Sequence, residues 1–332
     1  MKAILTHEVG GPETLTLDEI EVPSPGAGEV LVAVKACAIN YPDTLMIRDL
    51  YQFKPERPYS PGGELAGVVE AIGEGVENYK VGDRVMAGMG NGGLREKAIV
   101  PANRMFPIPD GVPSEKAASL LMTYGTTIHG LKDRGHIKEG DVVLILGAAG
   151  GVGLSAVELA KAYGARVVAA VSSEAKGEVA TQAGADEVVI YPRGEMDKMA
   201  SKELANAFKA ACGPGGANIV YDIVGGQYSE PALRSIAWEG RFLVVGFPAG
   251  IAKMPLNLTL LKSCDICGVF WGAFTAREPA KFVAQVKELF QLMQDGKIDP
   301  LVSETFPLER AGEAIAKLEN REAVGKLVVT ID

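Results

Sequence analysis

Apolar residues recur with two different periods along the chain. Up to about residue 110 they come in short runs: KAILT (2–6), TLTLDEIEV (14–22), EVLVAVKACAI (29–39), ELAGVVEAI (64–72), DRVMAG (83–88) and REKAIV (95–100). The turn-forming stretches GGPE, PSPGAGE and GEGVENYKVGD separate them. Short β-type runs punctuated by Gly and Pro predict a compact, partly open β-barrel. One short helix is predicted within it, over YPDTLMIR after Asn40.

From Pro113 the period lengthens. Near-continuous apolar runs, VVLILG (142–147), RVVAAV (166–171), EVVIY (187–191), NIVYDIVG (218–225) and RFLVVGF (241–247), alternate with helical stretches such as GLSAVELAKAYG and DKMASKELANAFKAA. Strands with no polar face, alternating with helices, predict a doubly wound parallel sheet buried on both sides. Beyond about 265 come a long amphipathic helix (278–296), a second helix (308–320) and a last strand, GKLVVTI (325–331). This tail is expected to return to the first domain. The fold class is therefore α/β, a barrel followed by a parallel sheet, and 332 residues suit two domains.

Composition changes this picture little. The chain is 47% hydrophobic and 23% charged with a net charge of −9, which disfavours nucleic acid or an anionic membrane surface as partner. The longest uncharged run, Val142 to Val157, is too short and too glycine-rich to span a membrane. Four scattered cysteines, without a signal-like N-terminus, predict a reducing, cytoplasmic setting. The CDIC of 264–267 has no second pair or histidine cluster to complete a zinc site, and no metal is expected.

The strongest local signal is the strand 142–146 running into Gly147-Ala148-Ala149-Gly150-Gly151-Val152-Gly153 and then a helix. Glycines there permit a tight turn and close approach of backbone to a pyrophosphate, and a helix N-terminus offers free N–H groups and a positive dipole end. The next strand ends in Val171-Ser172-Ser173, followed by Glu174 and Lys176. An NAD site places an acid there to hold the ribose. Two hydroxyls and a lysine suit a 2′-phosphate instead, so NADPH is the expected cofactor. Ser173 also reads as a helix cap and Lys176 as a solvated side chain.

GAAGGVG after a strand, GDRV (82–85), PGGELAG (61–67) and INYPD (39–43), in this order, resemble the medium-chain dehydrogenase/reductase superfamily, within it the zinc-free quinone oxidoreductase (ζ-crystallin-like) branch. The resemblance covers essentially the whole chain. It implies a GroES-like catalytic domain (1–124 and 266–332), an inserted Rossmann NADP-binding domain (125–265), a cofactor cleft between them, and a homodimer. It also implies that Thr127 approaches the nicotinamide, that Tyr191 and Arg321 line the 2′-phosphate pocket, and that Gly246-Phe247 and Phe270-Trp271-Gly272 wall the nicotinamide end.

Zinc alcohol dehydrogenases carry Cys where this chain has Asn40 and His where it has Gly63, beside a glutamate corresponding to Glu64. Neither Asn40 nor Gly63 supplies a thiolate or imidazole, so the site is expected to work without the metal. Glu64 is then expected to accept hydrogen bonds or to pair with an arginine. Without a Lewis acid, hydride transfer needs an acceptor already activated by conjugation, a quinone or an enone, and a hydrogen-bond donor for the developing charge. The resemblance offers Tyr51 first and Asn40 second as that donor. Asn40 also suits a helix cap, and Tyr51 a rim aromatic.

Two departures bear on the substrate. Asp49 stands where the pattern usually has glycine, and Leu94-Arg95-Glu96 replaces aromatic–Ala–Glu. The alternatives to a quinone or enone reductase are an acrylyl- or enoyl-thioester reductase, for which Arg48, Arg57 and Arg95 are the available basic residues, and a non-catalytic, crystallin-like NADPH-binding protein.

Overall fold

A computed structural model describes all 332 residues. The chain divides into two compact units, residues 1–122 with 300–332, and residues 123–299. In the first unit β1 (Lys2–Thr6) and β2 (Leu15–Glu19) form an antiparallel pair. The other strands there are β3 (Glu29–Ala38), β4 (Glu64–Ile72), β5 (Arg84–Gly88), β6 (Lys97–Pro101) and β7 (Met105–Pro107). Two more come from the far end of the chain, β14 (Val302–Pro307) and β15 (Lys326–Thr330). They join in the order β14-β15-β3-β4-β5-β7, with β6 pairing the outer part of β3.

Residues Val30, Val32 and Val34 of β3 alternate into a core shared with Leu65, Val69, Val85, Leu327 and Val329. From Ala36 to Ala38 every residue of β3 is buried, because here the strand lies between β4 and β15. That double cover brings the last strand of the chain beside Asn40.

The second unit is built on a six-stranded sheet of β8 (Val142–Leu146), β9 (Arg166–Val171), β10 (Glu187–Ile190), β11 (Ala217–Asp222), β12 (Ile236–Val244) and β13 (Asp265–Gly268). The order is β10-β9-β8-β11-β12-β13, and every pair is parallel. Numbered along the chain this is 3-2-1-4-5-6. The direction of winding reverses between β8 and β11, where open α/β sheets bind ligands at the strands' carboxyl ends. Val143 to Leu146 and Val167 to Ala170 have no exposed surface, as the unbroken apolar runs require.

The expected domain limits were 124/125 and 265/266, against 122/123 and 299/300 in the structure. The second differs because β13 adds to the parallel sheet beyond β12, and the helices Trp271–Arg277 and Pro279–Gln294 stay with that unit. Only residues from Pro300 onward return to the first unit. No helix is long and apolar enough to cross a membrane.

Candidate active site

The glycine loop leaves β8 at Gly147, whose φ of +74° is in the left-handed region that favours glycine. The N–H groups of Gly147 and Ala148 donate to Ala170 O on β9 at 2.9 and 3.2 Å, fixing the loop to the neighbouring strand. Gly150 then caps the helix Gly151–Ala162 in extended conformation and without a side chain. The first N–H groups of that helix, from Gly151, Val152 and Gly153, have no intrahelical acceptor. Ala149 is buried, while Gly150, Gly151 and Val152 are partly open. A Cβ on Gly153 would collide with Gly147 O and lie 2.7 Å from Ala148 Cα, so the helix starts against the strand's end. The helix start is thus a set of open backbone donors.

At the end of β9, Ser173 caps the helix Glu174–Gln182, its Oγ accepting from Lys176 N–H at 3.4 Å. Ser172 Oγ accepts from the guanidinium of Arg193 at 3.4 Å. Burial, with Arg193 as second cause, lowers the pKa of Lys176, so two cations sense each other beside two hydroxyls. The sequence reading missed Arg193, which stands in the turn after β10 and reads as a solvated loop residue. Tyr191 packs its ring into the core, 4.8 Å from that of Tyr228. Arg321 belongs to the first unit, in a φ of +60° after the helix Ala311–Glu319, where its charge acts on Tyr41.

Thr127 does not present its hydroxyl to a ligand surface. It has no exposed area, contacts Ser155 Oγ at 2.7 Å and accepts from Tyr221 Oη at 3.2 Å. Thr126, next to it on the helix Leu121–Ile128, is partly exposed. Helical spacing carries the signal: Thr123 and Thr127 share a buried face, Met122 and Thr126 a partly open one. Phe247 and Phe270 are about half exposed. The Trp271 indole lies against Gly125, and its Nε1 is buried with no acceptor. Gly246 donates to Asp222 O at 3.3 Å, and Gly272 lies beside the Phe270 ring. Asp222, unremarked in the sequence, ends β11 and shapes the following loop by accepting from Val224 N–H (2.9 Å), Gly225 N–H (2.8 Å) and Ser229 Oγ (2.5 Å).

In the first unit, Glu64 opens β4 and is 1% exposed. Its Oε2 accepts from Asn40 Nδ2 at 3.0 Å, its Oε1 from Met122 N–H at 3.0 Å. The expected arginine partner is instead Lys326 of β15, its ammonium 3.7 Å from Glu64 Oε2. Lys326 is 4% exposed and donates to Asn40 Oδ1 at 2.6 Å and Ile39 O at 3.1 Å. Asn40 Nδ2 also donates to Ala38 O at 3.2 Å. Both amide hydrogens and the amide oxygen of Asn40 are therefore taken. Asp43 joins the group, accepting from Asn40 N–H (2.8 Å) and Gly62 N–H (3.1 Å).

Burial governs the electrostatics of this cluster. It pushes the Glu64 carboxyl up and the Lys326 ammonium down, each partly opposed by the other. It raises Asp43 to about 6 against the two N–H donors. No group of three or more His, Cys, Asp or Glu side chains is arranged to hold a metal ion. A Cβ on Gly63 would lie 3.0 Å from Gly90 O, leaving little room for a histidine.

Tyr51 is half-buried in the bend after the helix Tyr41–Met46. Burial, then the charge of Asp43, raises its pKa, so the hydroxyl keeps its proton. Asp49 has a φ of +56°, a conformation in which glycine is at ease and which Asp tolerates better than most residues. Its carboxylate faces Arg57 at 2.8 Å.

Family comparisons agree with this architecture. Residues 26–110 match the model "Alcohol dehydrogenase GroES-like domain", and residues 151–293 match "Zinc-binding dehydrogenase". The mouse protein named "Quinone oxidoreductase-like protein 2" is 36% identical over 99% of this chain and 92% of its own. A mycobacterial protein solved in complex with NADPH superimposes with a TM-score of 0.91 at 34% identity, covering 99% of this chain and 100% of that one. The Escherichia coli quinone oxidoreductase complexed with NADPH gives 0.90 at 29% identity, with the same coverage. The chain belongs to the medium-chain dehydrogenase/reductase superfamily, in its quinone oxidoreductase branch.

Proposed function

We propose that the chain is an NADPH-dependent oxidoreductase that reduces a quinone or conjugated enone without zinc. The observation that carries this is the pairing of Glu64 with Lys326 and Asn40: an amide and a glycine, Asn40 and Gly63, stand where zinc would need thiolate and imidazole, and an ammonium pairs with the glutamate. The cofactor fits the residues present. The loop Gly147–Gly153 offers backbone donors to a pyrophosphate. Ser172, Lys176 and Arg193 offer hydroxyl and charge to a 2′-phosphate. The unpartnered Trp271 Nε1 and the open Thr126 hydroxyl suit the nicotinamide end.

Bound NADPH supplies a hydride. Conjugation in the acceptor spreads the charge that follows, and the chain's own task is to hold a donor at the acceptor oxygen. Tyr51 fits that task because its hydroxyl is protonated and makes no hydrogen bond within the chain. Asn40 does not, because its amide hydrogens go to Ala38 O and Glu64. It is instead a positioning residue that joins Glu64 to Lys326.

A thioester reductase draws less support. Arg48 is forked onto Glu319 at 2.6 and 3.0 Å, and Arg57 faces Asp49, so both are neutralised locally. The four cysteines are free, in keeping with action in the cytoplasm. The exposed edge strand β13, with the exposed Leu256, Leu260 and Ile266, supports a homodimer. Light scattering at micromolar concentration tests it, and a monomer contradicts it. The activity is tested by following NADPH oxidation with quinones, enones and enoyl-CoA thioesters. Turnover of the first two is expected. Cofactor binding with no turnover of any would leave the binding-protein reading.

A further inference from the structure

Arg95 differs from the arginines around it. Arg48 and Arg57 face carboxylates, and Arg310 forks onto Glu313 at 2.8 and 2.6 Å. The Arg95 side chain makes no hydrogen bond or ion pair, although it is half-buried, and its Nε is fully enclosed without an acceptor. Burial alone lowers its pKa, with no acid nearby to oppose it. In a chain of net charge −9 an uncompensated, partly desolvated guanidinium is costly, and a fold that keeps one has a use for it.

The location suggests the use. Arg95 closes the loop Met89–Leu94, whose Met89 and Gly90 N–H groups donate to Gly63 O at 2.8 and 3.3 Å. In the same loop Gly92 N–H donates to Ser60 O at 2.7 Å. The guanidinium lies over Gly92, 3.8 Å from where a Cβ would stand. The arginine therefore belongs to the loop that covers Gly63, the neighbour of Glu64.

We infer that Arg95 is a specificity residue which binds an anionic group of the substrate, a carboxylate whose two oxygens meet the terminal Nη1 and Nη2 of the guanidinium. The inference rests on the reductase reading above and narrows it to acceptors that carry a carboxylate beside the conjugated carbonyl. An arginine fork matches paired oxygens better than a lysine's point charge does.

The test compares 4-oxopent-2-enoate with its methyl ester as acceptors, for the wild-type protein, Arg95→Ala, Arg95→Gln and Arg95→Lys. Wild type is expected to favour the acid at least ten-fold in kcat/KM, mainly through KM. Arg95→Ala and Arg95→Gln should lose that ratio, and Arg95→Lys should keep part of it. Equal kcat/KM for acid and ester in wild type, or a preference that survives Arg95→Ala, overturns the inference while leaving the reductase reading intact. If neither compound is reduced, binding decides. The saturated acid, 4-oxopentanoate, should then raise the melting temperature of the NADPH-loaded wild type but not of Arg95→Ala. No shift in wild type, or the same shift in both, also overturns it. Melting curves without ligand show whether each variant folds.

Discussion

The polar cluster of the first unit and the glycine loop of the second are both built where a ligand is expected, but on opposite principles. Around Glu64 each charge is enclosed and satisfied by the protein itself: Lys326, Asn40, Met122 N–H and Gly62 N–H complete it. At the start of the helix Gly151–Ala162 the first backbone donors stay open, and at the end of β9 two cations, Lys176 and Arg193, repel each other. A closed network stabilises the fold and holds its shape. An open one stores its interactions for a ligand. The cluster around Glu64 should therefore answer to folding measurements, and the nucleotide loop to binding measurements.

The largest effect expected from breaking this contrast is at Lys326. Lys326→Ala leaves Glu64 and Asp43 buried with no cation, and removing one partner of a buried pair costs about 3–5 kcal/mol. Urea denaturation should show the loss. The triple variant Lys326→Met, Glu64→Gln and Asp43→Asn should recover most of it, because no charge is then stranded. A single variant as stable as wild type would mean that the pair does not hold this region together.

Tyr51→Phe sharpens the comparison from the side of chemistry. Loss of one donor at a developing oxyanion typically costs about 100- to 1,000-fold in turnover. Enone reduction should fall by that order and quinone reduction by less, since a reduced quinone oxygen is intrinsically stable. An unchanged enone rate would return Tyr51 to the role of a rim aromatic.

Asp43 gives the cluster a pH signature. Its folded pKa of about 6 lies above the usual carboxylate value near 3.8. The folded state thus holds the proton more tightly than the unfolded chain. This contribution to stability is fully present below about pH 3.8 and is lost as pH rises through about 6. A shift of that size corresponds to at most about 3 kcal/mol. The stability of wild type relative to Asp43→Asn should therefore fall between pH 4 and 6. A difference that is flat or rises over that range would contradict it.

The smallest effect belongs to the open site. Arg193→Ala removes one charge-assisted contact to the 2′-phosphate, worth about 1.5–3 kcal/mol. Fluorescence titration should show weaker NADPH binding with NADH nearly unchanged, and urea stability should not move. Equal losses for both cofactors would remove Arg193 from the site.

The same contrast decides what could be read from the sequence. The glycine loop was legible because a strand, a turn and a helix follow one another within about 20 residues, the spacing at which such motifs carry meaning. Five of the six parallel strands were legible as apolar runs, since both faces of the sheet's interior are buried, while the short edge strand β13 is mostly exposed and carries no such run. Lys326 was not, because a lysine at the start of a strand reads as a surface residue and its partner lies in a distant strand. Arg193 reads as a loop cation for a similar reason. The boundary at 299/300 was missed because the amphipathic helix Pro279–Gln294 shows that one face is covered, not which unit covers it. At Thr126 and Thr127 the helical period separates a buried from a partly exposed position, and the motif match alone did not weigh that difference.

The central claim is that a satisfied ammonium–carboxylate–amide cluster has taken the place of a catalytic metal. The most direct test is NADPH-dependent enone and quinone reduction by protein purified without a metal-binding tag, before and after exhaustive chelation, with the metal content measured alongside. The account predicts undiminished turnover at a metal content far below one per chain. Loss of turnover on chelation, restored by stoichiometric zinc, would contradict it.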